Sequence, residues 1–330
     1  MNSNHLIGFK LSRFNLDLSK KEALLCFKAY FEVEEFFCFN NLYILSINGN
    51  LKDILKHINK LAFAKEAFVI VKDEDWLRSI FELAKSLNTN LSKEPSFKIC
   101  VPETLSKDQK DVIIKETASL VLKKKPAWRV SLSNPDLVVC AFLKLEAYGF
   151  LIWTNKDGFN ARRAHLKPGP HPSGIDPRLA RAMVNLASAK CEILDPFCGA
   201  GGILEEVKLL GLSYLGVDIS WKMINLARSN LKSRENLFIM SAFSWERQVE
   251  CVVTDLPYGK NSKLDGELNL LIDEFFKHFK GLTQKIVVCT PNTYDVEEIS
   301  KKHGWALSDY FDVYVHGTLT RRIHVLSSNN

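Results

Sequence analysis

Thr254-Asp255-Leu256-Pro257-Tyr258-Gly259 places a carboxylate, a rigid proline turn and an aromatic ring within six consecutive residues. The apolar run Cys251-Val252-Val253 before it reads as a buried parallel strand, so the group emerges at a strand's carboxyl end, where open α/β sheets bind ligands. The Asp255 carboxylate and the Leu256 carbonyl can accept hydrogens from a planar exocyclic amine, Pro257 fixes the turn, and the Tyr258 ring can stack on the attached base. The chemistry that suggests is modification of a nucleobase. The same residues would also serve as an ordinary strand-end turn, with Asp as a cap and Pro-Tyr as packing, so the rest of the chain has to decide.

A second constellation lies upstream. Asp195-Pro196-Phe197-Cys198-Gly199-Ala200-Gly201-Gly202 joins a short apolar strand to a helix, and its small residues let the backbone approach a ligand closely. The dinucleotide pattern G-x-G-x-x-G fails at Leu204, and no P-loop lysine follows. Asp218-Ile219 closes the next strand, with Asp218 placed to accept both hydroxyls of a ribose. A nucleoside without phosphates, carrying a cationic amino-acid tail, suits this set, and S-adenosylmethionine fits that description.

These residues need a scaffold. From Glu192 onward the sequence alternates strand and helix, which predicts a parallel, doubly wound sheet. Strands are expected near 193–195, 214–218, 237–240, 250–254 and 285–290, and a final hairpin over 306–315 and 322–326. Residues 6–72 follow a βαββαβ order, the ferredoxin-like split motif, with Ser19 as a candidate helix cap. A second module covers 73–154, and its long helix ends at Lys125-Pro126 because the residue before proline avoids the α region. Residues 155–175, rich in Gly, Pro, Arg and His, read as a linker. Asp176-Pro177 then opens the helix that starts the third domain, 176–330.

Charge is unevenly distributed. The net charge is +6, yet residues 123–181 hold 11 basic and 4 acidic residues, a larger surplus than that of the whole chain. Lys123, Lys124, Lys125, Arg129, Arg162, Arg163 and Lys167 are therefore candidate contacts to a polyanion. The eight cysteines include no Cys-x-x-Cys pair, which argues against a zinc ribbon or a disulfide framework, and no metal site is expected. No charged-then-apolar leader and no long apolar run is present, so a cytoplasmic protein is expected.

The motifs D-P-F-C-G-x-G-G, G-V-D and T-D-x-P-Y-G resemble those of amino-methyltransferases that act on exocyclic nitrogens of nucleobases. The segment His171-Pro172-Ser173-Gly174-Ile175-Asp176-Pro177-Arg178-Leu179-Ala180-Arg181 is similar to the THUMP-domain tRNA guanosine N2-methyltransferases that act at position ten. The similarity is strongest over 168–260 and at Leu319-Thr320-Arg321-Arg322, and weaker over 1–155, where Ser133-Asn134-Pro135-Asp136 carries it. The resemblance implies an α/β protein with N-terminal ferredoxin-like and THUMP modules and a C-terminal Rossmann-like methyltransferase with a seven-stranded, mostly parallel sheet. It implies S-adenosylmethionine held by Asp195, Pro196, Phe197, Cys198, Gly199, Gly201, Asp218, Ile219, Ser241, Ala242, His171 and Ser173. It also implies catalysis by Asp255, Leu256, Pro257 and Tyr258, with Arg321 among the RNA contacts.

Two departures from that family are visible. Leu256 stands where a first proline is frequent, and Ser241-Ala242 where a Gly-Asp commonly meets adenine. The implied substrate is the amine of guanosine ten of tRNA, with one or two methyl groups added. The amine of another tRNA guanosine, such as position six, and adenine N6 remain open, as does an RNA-binding protein with a decayed pocket. Related enzymes use a small zinc-binding activator protein, which makes such a partner an expectation here.

Overall fold

A computed structural model describes residues 3–102, 105–169, 174–257, 265–317 and 319–329. The chain divides into two compact units. One contains residues up to 20, 30–59 and 63–156, and the other contains 21–29, 60–62 and 157 onward.

The first unit is built on one eight-stranded sheet. Its elements are β1 (Ser3–Leu11), the start of α1 (Leu16–Lys28), which from residue 21 on is counted with the other unit, β2 (Glu32–Phe39), β3 (Leu42–Gly49), α2 (Leu51–Ile58), β4 (Ala64–Val71), α3 (Trp76–Leu87), β5 (Ser96–Cys100), α4 (Lys107–Lys124), β6 (Arg129–Val130), β7 (Leu137–Phe142) and β8 (Ala147–Thr154). The strand order is β2-β3-β1-β4-β8-β7-β5-β6, so the strands expected in two modules are hydrogen-bonded into a single sheet through β4 and β8. Close approach at that seam requires Gly149, where a Cβ would press on the Val69 carbonyl oxygen. Ile44, Phe68, Cys140 and Phe142 pack on one face of the sheet.

Ser19 is not the cap of α1. The helix starts at Leu16, Asn15 Oδ1 accepts from the Leu18 amide at 3.0 Å, and the buried Ser19 hydroxyl donates back to the Asn15 carbonyl at 2.6 Å. Asp136 ties β7 to β5 by accepting from the Ser96 amide and hydroxyl at 2.8 and 2.7 Å, and these bonds hold its carboxyl below the usual range. The long helix expected to end at Lys125-Pro126 is α4, which opens with a capping box of Ser106 and Gln109.

The second unit carries α5 (Pro177–Ala187), β9 (Glu192–Asp195), α6 (Gly202–Leu209), β10 (Ser213–Asp218), α7 (Trp221–Leu231), β11 (Leu237–Ile239), β12 (Cys251–Asp255), α8 (Asp265–Phe279), β13 (Lys285–Pro291), α9 (Val296–Lys302), β14 (Trp305–His316) and β15 (Leu319–Ser328). Its seven strands run β11-β10-β9-β12-β13-β15-β14, parallel except for β15, which is antiparallel to both its neighbours. Strand order reverses between β9 and β12, which opens a crevice at their carboxyl ends. Behind it, Phe275, Phe276, Phe279, Ile286, Val288, Trp305 and Leu326 fill a core between the sheet and α8.

Gly216 shows how closely this layer packs. A Cβ there would lie 2.5 Å from Leu204 Cδ1, 2.7 Å from Leu237 Cδ2 and 3.1 Å from Cys198 Sγ. Gly216→Ala should therefore destabilise the unit by about 1–3 kcal/mol, the scale of overpacking. Denaturant unfolding with an unshifted midpoint would contradict that.

Residues 157–169, read above as part of a linker, are anchored in this unit by polar contacts. Glu206 on α6 is fully buried and accepts from Arg162 Nε at 2.8 Å and pairs with Arg181 Nη2 at 2.7 Å. Asp157 sits 2.6 Å from Arg162 Nη1 and 3.6 Å from Arg181 Nη1. The buried Phe159 ring lies beneath the guanidinium groups of Arg162, Arg178 and Arg181, at 4.7, 5.3 and 5.7 Å. Further along, the Asn230 side chain bonds both the amide and the carbonyl of Gly169, at 2.9 and 3.1 Å.

Candidate active site

The crevice is bounded by the turns that follow β9, β10, β11 and β12. After β9 the backbone curls through Gly199 at φ 50° and Gly201 at φ 82°, both left-handed conformations that favour glycine, and a Cβ on Gly199 would meet nothing within 4 Å. The Cys198 amide donates to the Val217 carbonyl at 2.9 Å, locking this turn to β10. Asp218 links two turns: its Oδ2 accepts from the Gly199 amide at 2.9 Å and its Oδ1 from the Ser220 amide at 2.8 Å. Ile219 beside it is 77% exposed, an apolar surface next to the Asp218 carboxylate.

Asp195 is almost wholly buried, accepts from the Thr254 hydroxyl at 2.7 Å and the Phe197 amide at 3.2 Å, and has its pKa pushed up to about 7. Burial is the main cause, the two hydrogen bonds oppose it, and the charges of Asp255 and Asp218 add to it. Three acidic side chains thus converge at adjacent strand ends, with Asp195 part-protonated near neutral pH and Asp218 and Asp255 beside it, a field that suits a cationic ligand and repels phosphate. Thr254 is a residue that the sequence reading left without a role. Cys198 and Cys289 are not nucleophiles: burial first, then the neighbouring aspartates, raises both thiols far above their ordinary range.

At the end of β12 the Leu256 amide donates to the Cys289 carbonyl at 3.1 Å and the Leu256 side chain is buried in the core, whereas Pro257 is exposed. The chain is thereby held where Asp255 leaves the sheet. Asp255 Oδ2 lies 3.2 Å from Arg321 Nη2 on β15. Arg321 was expected among RNA contacts, yet it is 9% exposed and faces the candidate catalytic carboxylate. Ser241 accepts from the Phe243 amide at 3.3 Å, so its hydroxyl caps a short turn, and Ala242 is buried beside it. Tyr258, His171 and Ser173 lie outside the described residues.

The expected RNA contacts separate into two groups. Lys123, Lys124, Lys125 and Arg129 are exposed in the first unit, with Lys124 Nζ 5.8 Å from the Trp76 ring, and Arg163 is exposed in the second. Arg162 and Lys167 are instead engaged internally, Arg162 as above and Lys167 with Glu205 at 2.7 Å. Spacing along the sequence could not distinguish these, because the acidic partners lie about forty residues away on α6.

Beside the crevice, His324 is 2% exposed, shares a 3.1 Å hydrogen bond with the Thr290 hydroxyl, and has its pKa pushed down to about 3, first by burial and then by Arg322. Between pH 6.5 and 3 the unfolded chain binds the proton that folded His324 refuses, so this residue lowers stability as pH falls. Asp195 acts oppositely: between its ordinary 3.8 and about 7 the folded state holds the proton, so stability falls as pH rises. The two slopes cancel in the overlap. His324→Gln should leave Asp195 unopposed, so that the variant loses stability relative to wild type as pH rises from about 4 to 6.5. Parallel stability-against-pH curves for the two proteins would contradict this pairing.

Comparison with known proteins identifies relatives of the chain. Residues 164–321 match the family described as UPF0020, RMKL-like, methyltransferase domain. The tRNA (guanine(10)-N2)-dimethyltransferase of Pyrococcus abyssi is 28% identical over 302 residues, covering 86% of this chain and 89% of that protein. The probable tRNA (guanine(10)-N2)-dimethyltransferase of Methanothermococcus thermolithotrophicus is 34% identical over 167 residues, 45% of this chain and 96% of that protein. The corresponding enzyme of Methanothermobacter thermautotrophicus is 31% identical, and the match spans 65% of this chain and 66% of the relative. The chain belongs to the family of S-adenosylmethionine-dependent methyltransferases that includes the archaeal tRNA (guanine(10)-N2)-dimethyltransferases.

Proposed function

We propose that this protein transfers methyl groups from S-adenosylmethionine to the N2 amine of guanosine ten in tRNA. The observation that carries the reading is the position of Asp255: a carboxylate oriented by an arginine, at the end of β12, beside the glycine-bearing turn and Asp218. The cofactor supplies an electrophilic methyl group. Asp218 would accept the ribose hydroxyls, Ile219 and Ala242 would bound the adenine, and the turn 195–201, with Pro196, Phe197 and Cys198 fixing its course, would admit the amino-acid tail. Asp195 and its neighbouring carboxylates attract the tail's ammonium group.

The guanine amine is a poor nucleophile because its lone pair is delocalised into the ring. Asp255 and the Leu256 carbonyl accept its two hydrogens, which localises that pair and aims it for in-line attack. Tyr258 is assigned the stacking partner of the base, a contact of roughly 1–3 kcal/mol. The target lies in a paired, stacked region, so the base must leave the stack, while the N-terminal modules, with 73–154 as the THUMP domain, hold the RNA by shape and phosphate contacts. A transcript with inosine at position ten lacks the amine and should accept no methyl group, whereas one with adenosine there tests the N6 alternative. Methylation of either at the rate of the guanosine transcript would overturn the assignment.

Lys123, Lys124, Lys125, Arg129 and Arg163 form the proposed phosphate contacts, without Arg162 and Lys167. Replacing the three lysines with glutamine should weaken tRNA binding and reduce its salt slope by about one for each phosphate that is no longer neutralised. An unchanged slope would remove them from the interface.

A small zinc-binding activator is proposed as a partner, with the zinc in that protein. Trp221, Phe238 and Ile239 leave apolar surface exposed after β10 and on the edge strand β11. Equal solubility and activity with and without the activator would refute it. Among the described residues no helix is long and apolar enough to cross a membrane; a cytoplasmic location is part of this proposal.

A further inference from the structure

We infer that Arg321 is a positioning residue for methyl transfer, acting through Asp255, rather than one of the cations that meet RNA phosphates. This rests on the reading that Asp255 accepts the hydrogens of the target amine. Arg321 sits on β15, in register with Pro291 at the carboxyl end of β13. Because β15 runs against its neighbours, it delivers a guanidinium to the very edge of the sheet where β12 releases Asp255. The Arg321 Nη2 to Asp255 Oδ2 distance is 3.2 Å, and the two side chains are 11% and 17% exposed, too shielded to reach a polyanion without rearrangement.

The neighbouring arginine is engaged differently. Arg322 pairs with Asp312 through two bonds of 2.6 and 2.7 Å and lies 4.6 Å from the Tyr310 ring centre, bracing the terminal hairpin. Strand alternation sends successive side chains to opposite faces, so two adjacent arginines serve two separate ends. The register of β15 is therefore what assigns Arg321 to the crevice.

The chemistry explains why a cation belongs there. Asp255 is faced by Asp195 from β9, by the Cys289 thiol from β13 and by Arg321 from β15. A protonated Asp255 would donate a hydrogen where the amine also donates one. Arg321 opposes this and keeps Asp255 an acceptor. By holding Oδ2 it also fixes the carboxylate plane, so that the other edge meets the base in one orientation.

The test compares the full-length protein with Arg321→Met and Arg321→Lys. Single-turnover methyl transfer is measured at saturating tRNA and cofactor across pH, alongside cofactor affinity and the salt dependence of tRNA affinity. Arg321→Met should lower the saturated rate by roughly 10–100-fold, the scale of a lost charge-assisted hydrogen bond. Its acid limb should move up by about one to two pH units, because the carboxylate loses an adjacent cation. Arg321→Lys should return the limb toward that of wild type, and both variants should keep cofactor affinity and the tRNA salt slope. A weakened and flattened salt dependence with an unchanged saturated rate would overturn the inference in favour of a phosphate contact. A rate loss with an unmoved limb, equal in both variants, would overturn it in favour of a folding role. An active wild type with unaltered variants sinks the inference alone, whereas a wild type that binds both ligands and transfers nothing sinks the proposed activity with it.

Discussion

Asp255→Ala should lower the saturated methyl-transfer rate by roughly 100–1000-fold, the cost of losing a group that contacts the reacting atoms in the transition state. Cofactor affinity should be nearly unchanged, because the residues assigned to the nucleoside lie on the turns after β9 and β10 and hold their own hydrogen bonds without Asp255. The companion variant Asp255→Asn keeps the shape and one acceptor oxygen but loses the charge, so it separates geometry from electrostatics. The substitution to Ala also strands Arg321 at a shielded site, so a fall in stability is expected alongside the lost rate. Calorimetric titration with cofactor distinguishes the two effects. A parallel loss of cofactor affinity would contradict the assigned role.

The largest stability effect is expected at Glu206. Its carboxylate is fully buried between the guanidinium groups of Arg162 and Arg181. Glu206→Gln preserves the volume but leaves two cations facing each other with Asp157 as their remaining anion, which should cost about 3–5 kcal/mol. Hydrogen exchange in α5 and α6 measures this directly. Loss of protection should include the 157–169 segment, since Arg162 anchors it. The triple replacement Glu206→Leu, Arg162→Met and Arg181→Met should recover much of the loss, because a packed apolar triad avoids burying charge. A change below about 1 kcal/mol in Glu206→Gln would show the network to be solvated.

Most of the second unit was legible in sequence because its signals are local. Apolar runs such as Cys251–Val253, the Asp176-Pro177 helix start and the glycines after Asp195 each follow from a few neighbouring residues, and the alternation of strand and helix then implies a parallel, doubly wound sheet. The first unit was legible as a series of elements, but not as a single sheet. Nothing local marks β4 and β8 as partners, since their register joins residues about eighty positions apart.

The site divides along the same line. Asp195, Asp218 and Asp255 stand at strand ends and declare themselves by position. The partners that tune them do not: Thr254 bonds Asp195 across two strands, and Arg321 reaches Asp255 from sixty-six residues further along. Ser19 misled because Ser is a frequent helix cap, while Asn15, four residues earlier, performed the same capping. Arg162 and Lys167 misled because a basic cluster reads as exposed until its buried carboxylates are located.

The measurement that bears most directly on the account is methyl transfer from labelled S-adenosylmethionine to an unmodified tRNA transcript. It is run with and without a zinc-binding activator, with the modified nucleoside and its position identified by mass spectrometry. N2-methylguanosine or N2,N2-dimethylguanosine at position ten is the predicted product. Label on another nucleoside, or intact binding of cofactor and tRNA with no transfer even with the activator present, would contradict it.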